Sequence, residues 1–322
     1  MSAVPSDYSL KSSTRRRSDR IGDFALRAIT ALAALAAVGL LVAIVWKVIK
    51  LAWPAIQDYG LSFVTGQVWD PVKGVFGALP FIYGTAMSSL IALVIATPLA
   101  IAIALWLTEL APRGVRGIVG SLVEMLAAIP SVVLGLWGIL VLGPVLANHV
   151  EPWLHDHLGF IPLFGPPSAT GTGLFTAGLI LTIMVVPIVA SICRELFLQV
   201  PNDLEEGALA LGSTRWEMVR GDILPSTRTG IAAAIILGLG RALGEAIAVT
   251  QVIGGGTTIS VNIFGPIDTL ASKIAASYQG AGSGLEASSL LYLAAILLVI
   301  GLITNLIAQV IVRVFDPLKG AH

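Results

Sequence analysis

Two charged residues, Arg241 and Glu245, lie in the apolar stretch G-L-G-R-A-L-G-E-A-I-A-V. Their spacing places both side chains on one face of a helix. If that helix enters a membrane near Gly230, Arg241 lies about 16 Å along it, where a charge costs roughly 2.5–3.5 kcal/mol to insert. Arginine keeps its charge when desolvated and binds phosphate or carboxylate through paired N–H donors. We therefore predict that Arg241 offers a fixed positive charge to an anion and that Glu245 holds it in place. The alternative is an ion pair that only fixes the helix register.

Further residues in the apolar segments could belong to the same site. Glu124 is a second candidate partner for Arg241. Ser131 follows a proline in the run A-A-I-P-S-V-V-L-G, where the proline frees a backbone carbonyl that needs a polar partner or a cavity. Gly240 and Gly244 form a small-residue pair through which another helix could closely approach the charges. The predicted substrate pathway consists of Arg241, Glu245, Glu124 and Ser131.

Composition sets the class of protein. Of 322 residues, 56% are hydrophobic and only 12% are charged, whereas soluble domains carry about 25% charged residues. The chain is therefore expected to be an integral membrane protein. Lys and Arg number 19, as do Asp and Glu, so the net charge suggests no nucleic-acid partner. The single cysteine, Cys193, excludes an intramolecular disulfide and a cysteine-based metal site. The histidines at 149, 155 and 157 are interpreted as loop residues, so no metal site is expected.

Six apolar segments are long enough to cross a bilayer, which takes about 20 residues in a helix. They are continuous rather than short and alternating, so they are predicted to be helices and not strands of a barrel. The expected fold is an all-α integral membrane protein with six transmembrane helices. The predicted spans are 24–46, 84–107, 118–147, 171–192, 230–253 and 287–312.

Positive charge fixes the predicted orientation. Placing the N-terminus in the cytoplasm leaves only Lys47, Lys50, Lys73 and Lys273 outside, and cytoplasmic segments carry the excess of Lys and Arg. Both termini are thus predicted to be cytoplasmic in a multi-pass protein of the cytoplasmic (inner) membrane, in contact with lipid. The predicted segments are a basic cytoplasmic tail at 1–22, an N-terminal anchor helix at 24–46, extracytoplasmic loops at 47–83, 148–170 and 254–286, and a cytoplasmic C-terminus at 313–322.

A polar segment at 200–225 separates two of the spans. Pro201 is predicted to end the preceding helix, and Asn202 or Asp203 to cap a new one, with Glu205 or Glu206 as the capping-box partner. The new helix is predicted to stop at a glycine, Gly212. A second short helix is predicted to start with a capping box of Thr214 and Glu217 and to end at Pro225. Two short helices joined at a glycine form a protrusion that must lie outside the bilayer, in the cytoplasm.

This segment resembles the cytoplasmic loop of binding-protein-dependent ABC importer permeases. Their motif is E-A-A, three residues, G, nine residues and I-x-L-P, and it departs here at Gly207 and Asp222, which replace the first Ala and the Ile. In that family the loop docks on the ATPase subunit. The resemblance assigns this coupling role to Glu205, Glu206, Gly207, Ala208, Gly212, Leu224 and Pro225. No P-loop motif occurs in the chain, so no catalytic residue is expected, and ATP and Mg²⁺ should bind a partner ATPase rather than this chain.

Over roughly residues 55–315 the chain is similar to phosphate ABC importer permeases of the PstC type. The similarity is carried by the motif around Arg241 and by three further stretches, A-L-A-L-G-S-T-R-W-E, A-A-I-P-S-V-V-L-G and G-T-A-M-S-S-L-I-A. The resemblance implies type I ABC importer architecture, with a permease domain at 84–312. It also implies a sister permease of the PstA type, two ATPase subunits and an extracytoplasmic phosphate-binding protein. The alternatives are a permease for another oxyanion such as molybdate or sulfate, a self-sufficient secondary anion transporter, and a membrane scaffold that transports nothing.

Overall fold

The computed structural model describes residues 17–282 and 284–314. These residues form helices joined by turns and loops, which confirms the predicted all-α class. The predicted terminal segments at 1–22 and 313–322 lie largely outside the described residues. The helices are α1 (Arg17–Tyr59), α2 (Ser62–Thr65), α3 (Leu79–Leu105), α4 (Arg113–Ala127), α5 (Ser131–Trp137), α6 (Gly143–Val145), α7 (Glu151–Leu158), α8 (Leu174–Leu198), α9 (Asn202–Ala210), α10 (Arg215–Met218), α11 (Leu224–Gly244), α12 (Ile247–Val252), α13 (Leu270–Ser277) and α14 (Gly284–Val314).

Single turns of wider, π-helical geometry extend several of these helices. One such turn, Trp106–Leu110, continues α3, and another, Val219–Ile223, joins α10 to α11. Two more, Gly138–Leu142 and Leu146–Val150, join α5, α6 and α7 into one continuous helical span. Turns of this kind are rare and are found frequently at functional sites.

Six helical segments of the described chain are long and apolar enough to cross a membrane, as predicted. They are Gly22–Tyr59, Leu79–Leu110, Ser131–Leu158, Leu174–Leu198, Arg215–Gly244 and Gly284–Ile311. The third and the fifth are displaced most from their predicted ranges, 118–147 and 230–253. The third starts after a break before Pro130, and the fifth begins at Arg215 and ends at Gly244. The first helix continues through Pro54 to Tyr59, into the segment predicted as a loop.

The chain divides into two compact units, one up to Lys50 and one from Leu51 onward. Within the second unit, α8 is the central helix of the larger core and packs most extensively against α3 and α11. Ala92 and Ala96 on α3 are fully buried in this core, and the hydroxyl of Thr182 on α8 donates to the carbonyl of Ala92. A Cβ atom at Gly178 would lie 2.5 Å from the side chain of Ile91. Small residues therefore allow these two membrane helices to pack closely, as is typical of membrane bundles.

A second core in the same unit is aromatic. Phe63 stacks on Tyr292 with ring centroids 4.4 Å apart, and Trp69 meets Phe81 edge-on at 5.2 Å. The ammonium group of Lys273 lies 5.5 Å from the centre of the Trp69 ring. Aromatic pairs of this kind contribute about 0.5–1.5 kcal/mol each beyond their buried area. This cluster fixes the loop between α2 and α3 against α13 and α14, on the predicted outer side.

Candidate functional site

Arg241 and Glu245 lie at a break in a helix that the hydrophobic pattern predicted to be continuous over 230–253. Helix α11 ends at Gly244, Glu245 has extended backbone geometry with ψ of 120°, and α12 begins at Ile247. A carboxylate oxygen of Glu245 accepts a hydrogen bond from the backbone N–H of Ala248 at 3.2 Å. The glutamate thus caps the helix that follows the break and satisfies one of its free N–H groups.

The other carboxylate oxygen of Glu245 lies 3.1 Å from Nη2 of Arg241. The Glu245 side chain is only 5% exposed, whereas that of Arg241 is 45% exposed. Both oxygens of the acid are therefore engaged, while the guanidinium turns much of its surface away from the described chain. A guanidinium has five N–H donors, so this arrangement presents a positively charged group whose position is fixed and whose outer side is open.

Glu124 belongs to a different ion pair. Its carboxylate lies 3.1 Å from Nη1 of Arg194, which joins α4 to α8. Of the two candidate partners for Arg241, the structure therefore selects Glu245. The role of Glu124 in a substrate pathway stays a prediction. Arg194 was not identified from the sequence, since the two residues lie 70 positions apart in the chain and no local pattern relates them.

Ser131 is the first residue of α5, directly after a second break in the helical chain. A Cβ atom at Gly135 would lie 2.9 Å from the Cα atom of Ala248, and one at Gly138 would lie 2.7 Å from a side-chain carbon of Val252. Residue 135 thus meets residue 248, and residue 138, further along the chain, meets residue 252, also further along. The two helical segments therefore run parallel and in close contact. Ser131 lies one helical turn before Gly135 and so falls near the level of the α11–α12 break. The structure thus brings the two helix breaks side by side.

The two glycines beside Arg241 contact nothing in the described chain. A Cβ atom built on Gly240 or on Gly244 meets no atom within 4 Å. Leu237, one turn before Arg241 on the same face of α11, is 58% exposed. The predicted close approach of another helix at these glycines is therefore not made by any described part of this chain. This open face of α11, consisting of Leu237, Gly240, Arg241 and Gly244, is called the charged face below.

The 200–225 segment forms two short helices joined at a glycine, as predicted. Gly212 has a positive φ of 92°, and the hydroxyl of Thr214 accepts from the backbone N–H of Glu217 while the Glu217 carboxylate accepts from that of Thr214. The predicted glycine stop and capping box are therefore confirmed.

Two details of the predicted loop are wrong. Helix α9 already includes Asn202, and the residue at its cap is Pro201, which has no side-chain acceptor, so neither Asn202 nor Asp203 caps it. Pro225 does not end a helix, because the π-helical turn Val219–Ile223 runs directly into α11 and Pro225 lies at the start of that helix. Segment Arg215–Gly244 is consequently one helical span that leads from the loop to the charged face.

The predicted coupling residues lie on a loop with an exposed, partly apolar surface. Glu206 and Gly207 are exposed, and Leu211 and Trp216 are 90% and 66% exposed. Exposed apolar side chains grouped in this way mark protein–protein contact sites. Ala208 packs against the main core and Leu224 is partly buried, so these two residues support the loop from within. Pro225 lies in the adjoining first turn of α11.

One hydrogen bond links this loop to the end of α3, and two like charges also lie near each other there. Nη1 of Arg215 donates to the backbone carbonyl of Glu109 at 3.0 Å. Partial burial raises the pKa of Glu205, and the negative charge of Glu109 raises that pKa further. Arg215 was not identified from the sequence as a contact, because its partner lies on a distant helix. The loop is thus attached both to α11, through the chain, and to α3, through Arg215.

Comparison with known proteins places this arrangement in a family. The family model of the binding-protein-dependent transport system inner membrane component matches residues 96–319. The phosphate transport system permease protein PstC of Haemophilus influenzae is 42% identical over 294 residues, which cover 90% of this chain and 93% of that protein. The protein of the same name from Mesorhizobium japonicum is 41% identical over 324 residues, covering 99% of this chain and 98% of that protein.

Solved structures share the fold. A bacterial ABC transporter involved in the import of the acidic polysaccharide alginate has a TM-score of 0.52 at 22% identity, covering 90% of this chain and 98% of its own. An inward-facing form of the MetNI methionine ABC transporter has a TM-score of 0.51 at 21% identity, covering 74% of this chain and 94% of its own. The chain belongs to the family of binding-protein-dependent transport system inner membrane components, as a multi-pass permease subunit of an ABC importer that works with a separate ATPase and a substrate-binding protein.

Proposed function

We propose that this chain is a permease subunit of an ATP-driven importer that moves inorganic phosphate across the cytoplasmic membrane into the cell. It forms a heterodimer with a sister permease of the PstA type and works with two ATPase subunits and an extracytoplasmic phosphate-binding protein. ATP and Mg²⁺ bind the ATPase subunits. The phosphate specificity is supported by the relatives from Haemophilus influenzae and Mesorhizobium japonicum, which are phosphate permeases by name.

The observation that carries the proposal is the open guanidinium of Arg241. It lies on a membrane-spanning helix, is held by Glu245 at 3.1 Å and remains 45% exposed. A charge in the apolar part of a bilayer is expensive and therefore faces a bundle interior or a water-filled path. Since no described residue covers Gly240 or Gly244 within 4 Å, the charged face has to be covered by another subunit or by a polar path. In a heterodimer with a central pathway, the sister subunit covers the two glycines and the guanidinium faces the polar pathway.

The geometry of the pair suits a transported anion rather than a trapped one. The planar guanidinium can donate two parallel hydrogen bonds to a phosphate group. One oxygen of Glu245 pairs with Arg241 and the other accepts from the backbone N–H of Ala248. Glu245 therefore fixes the position of the guanidinium and weakens its net attraction for the anion. Phosphate can then bind Arg241 briefly and leave it again when the pathway opens on the other side.

The loop at 200–225 supplies the connection to ATP hydrolysis. In this proposal the ATPase binds the exposed surface around Glu206, Leu211 and Trp216 on the cytoplasmic side, where both chain termini also lie. Closure of the ATPase pair moves the loop, which pulls on α11 through the chain and on α3 through the bond from Arg215 to the Glu109 carbonyl. Because α11 carries Arg241, this motion changes the side of the membrane to which the guanidinium opens.

The test is ATP-dependent uptake of radiolabelled phosphate by proteoliposomes that contain the complete complex and its binding protein. Arg241→Gln should lower the initial rate by on the order of 10- to 100-fold, the equivalent of losing one charge-assisted hydrogen-bonding group. Arg27→Gln is the matched control, since it makes the same exchange at an exposed position on α1 and should leave uptake unchanged. Near-normal uptake by Arg241→Gln, with full assembly of the complex, would contradict the proposal.

The same assay separates the alternatives. A phosphate importer should be inhibited by unlabelled phosphate far more than by sulfate or molybdate at equal concentration. Equal inhibition by one of these oxyanions would assign the subunit to a different substrate. Uptake that persists when the ATPase subunits are omitted would instead indicate a self-sufficient secondary transporter.

A further inference from the structure

A polar cavity lies beyond the α11–α12 break, on the predicted outer side. Its volume is about 720 Å³, within the range of small-molecule sites. Its polar lining comes from three elements: Asn148 on the third span, Thr170 and Thr172 in the loop before α8, and Thr250 and Gln251 on α12. No side chain in its lining is ionisable.

Neutral hydrogen-bond donors are available in this lining. The hydroxyls of Thr170 and Thr172 lie 2.7 Å apart, so one donates to the other and the second retains a free O–H. Asn148 spends one amide N–H on the carbonyl of Pro144 at 2.7 Å and keeps the other. Gln251 contributes an amide group whose oxygen is buried without a hydrogen-bond partner in the described chain. The hydroxyl of Thr250 donates to Ala246 at 2.7 Å, so it offers only acceptor lone pairs.

The walls of the cavity are fixed to one another. The backbone N–H of Gly173, at the end of the threonine loop, donates to the carbonyl of Val252 at 2.9 Å. The start of that loop is fixed by Glu151, a buried residue whose carboxylate accepts from the backbone N–H of Ser168 at 2.8 Å. A Cβ atom at Gly171 would lie 1.9 Å from the carbonyl oxygen of Gly143. The loop is therefore packed directly on the third span.

The cavity is joined to the charged face through α12. Gln251 is six residues beyond Glu245, a separation of about 9 Å along a helix, and its amide carbon would lie 2.9 Å from a Cβ atom at Gly135. One short helix therefore carries the carboxylate that holds Arg241 at its start and a wall of the cavity at its end.

We propose that this cavity is an outer oxyanion site, in which phosphate released by the binding protein is held by neutral donors before it reaches Arg241. The inference rests on the proposed function, because it takes phosphate as the transported anion. Hydroxyl and amide donors bind a tetrahedral oxyanion without a compensating positive charge. Binding is consequently weak enough for the anion to move on to the guanidinium.

The experiment uses the complete complex in proteoliposomes with labelled phosphate. Gln251→Glu places a carboxylate where the amide oxygen is buried against Gly135. In complex that co-purifies in the same yield as the wild type, it should lower the initial uptake rate by about tenfold or more. Gln251→Met, which is neutral, should lower it by only about threefold, from the loss of one hydrogen-bonding group. Gln279→Glu is the matched control, because it adds the same charge at an exposed position on the same side and should leave the rate unchanged.

A second pair of variants tests the opposite wall. Thr170 is exposed in its loop, so Thr170→Asp and Thr170→Val should both assemble. The aspartate should lower uptake by about tenfold, and the valine by only about threefold, from the loss of one hydrogen-bonding group. Uptake within twofold of the wild-type rate in both Gln251→Glu and Thr170→Asp would overturn the inference. So would equal losses in Gln251→Glu and Gln251→Met, since packing rather than charge would then be responsible.

The two proposals fail in different ways. If the wild-type complex takes up no phosphate, the proposed function fails and the outer site fails with it. If the wild-type complex transports phosphate and Arg241→Gln does not, while the charged cavity variants transport normally, only the outer site is wrong.

Discussion

Two arginine–glutamate pairs in the described part of the chain have the same N···O distance and opposite exposures. Both distances are 3.1 Å, but Glu245 is 5% exposed beside a 45% exposed Arg241, whereas Glu124 is 59% exposed beside a 26% exposed Arg194. The first pair lies within one chain segment across a helix break, and the second joins α4 to α8. Contact distance therefore says little about function. What matters is which partner is fixed and which one is open.

The difference follows from the second contact of each acid. Glu245 also caps α12 through Ala248, which leaves it no freedom and turns the guanidinium outward. Glu124 is 59% exposed and makes one ion pair, with Arg194. An exposed pair of this kind contributes about 0.2–1 kcal/mol at most, so this contact between α4 and α8 should tolerate exchange better than the buried carboxylate of Glu245 does.

Exchanging the two residues of each pair gives the largest expected contrast. Arg241→Glu with Glu245→Arg should abolish phosphate uptake, because the capping carboxylate is lost and the open group becomes negative. Arg194→Glu with Glu124→Arg should retain uptake to within about twofold, since an exposed pair works in either orientation. Both variants are compared in the reconstituted uptake assay, with co-purification of the partners as the measure of assembly. A loss of transport in the second variant equal to that in the first would remove the distinction between the pairs.

A change on the cytoplasmic loop separates transport failure from coupling failure. Glu206 is exposed on α9, within the surface proposed to bind the ATPase. Glu206→Lys should lower uptake by about tenfold or more while the permease pair still folds, because a reversed charge at an interface opposes its former partner. Glu206→Gln, the conservative control, should keep more than half of the wild-type rate. Wild-type uptake in Glu206→Lys would count against the docking surface.

The smallest expected effect is on thermal stability and comes from two neighbouring carboxylates, those of Glu205 and Glu109. Burial and the charge of Glu109 raise the pKa of Glu205, so the folded state binds its proton more tightly than the unfolded chain. The destabilisation is therefore present above the raised pKa and is relieved as the pH falls through it. Glu205→Gln should raise the unfolding temperature of the purified permease pair at neutral pH, and the gain should disappear below about pH 4. A gain that does not change with pH would show that the charge of Glu205 is not its cause.

Local patterns in the sequence predicted the local features of the site. The four-residue spacing of Arg241 and Glu245 predicted that they share a helix face, although Glu124 remained a second candidate partner until the structure showed the pair. The T-x-x-E pattern predicted the capping box of Thr214 and Glu217. Gly212 takes the left-handed geometry expected at a helix stop. In each case the determining residues lie within one or two helical turns, where the physical interaction is itself local.

The remaining features depend on contacts between distant parts of the chain. The apolar segment 230–253 was predicted to be one helix despite its two charges, because no proline lies within it. The helix break after Gly244 is stabilised by the contact of Glu245 with Ala248 and by the close approach of Gly135. The stacking of Phe63 on Tyr292 likewise joins residues far apart in sequence.

The most direct test of the central claim is phosphate uptake by the double variant Arg241→Gln with Glu245→Gln. This variant removes the pair without leaving an unpaired charge, so a merely structural pair would be replaced at little cost. If Arg241 belongs to the substrate pathway, assembly of the complex should survive while uptake stays as low as in Arg241→Gln alone. Recovery of the wild-type rate in the double variant would contradict the account and leave the pair as a device that fixes helix register.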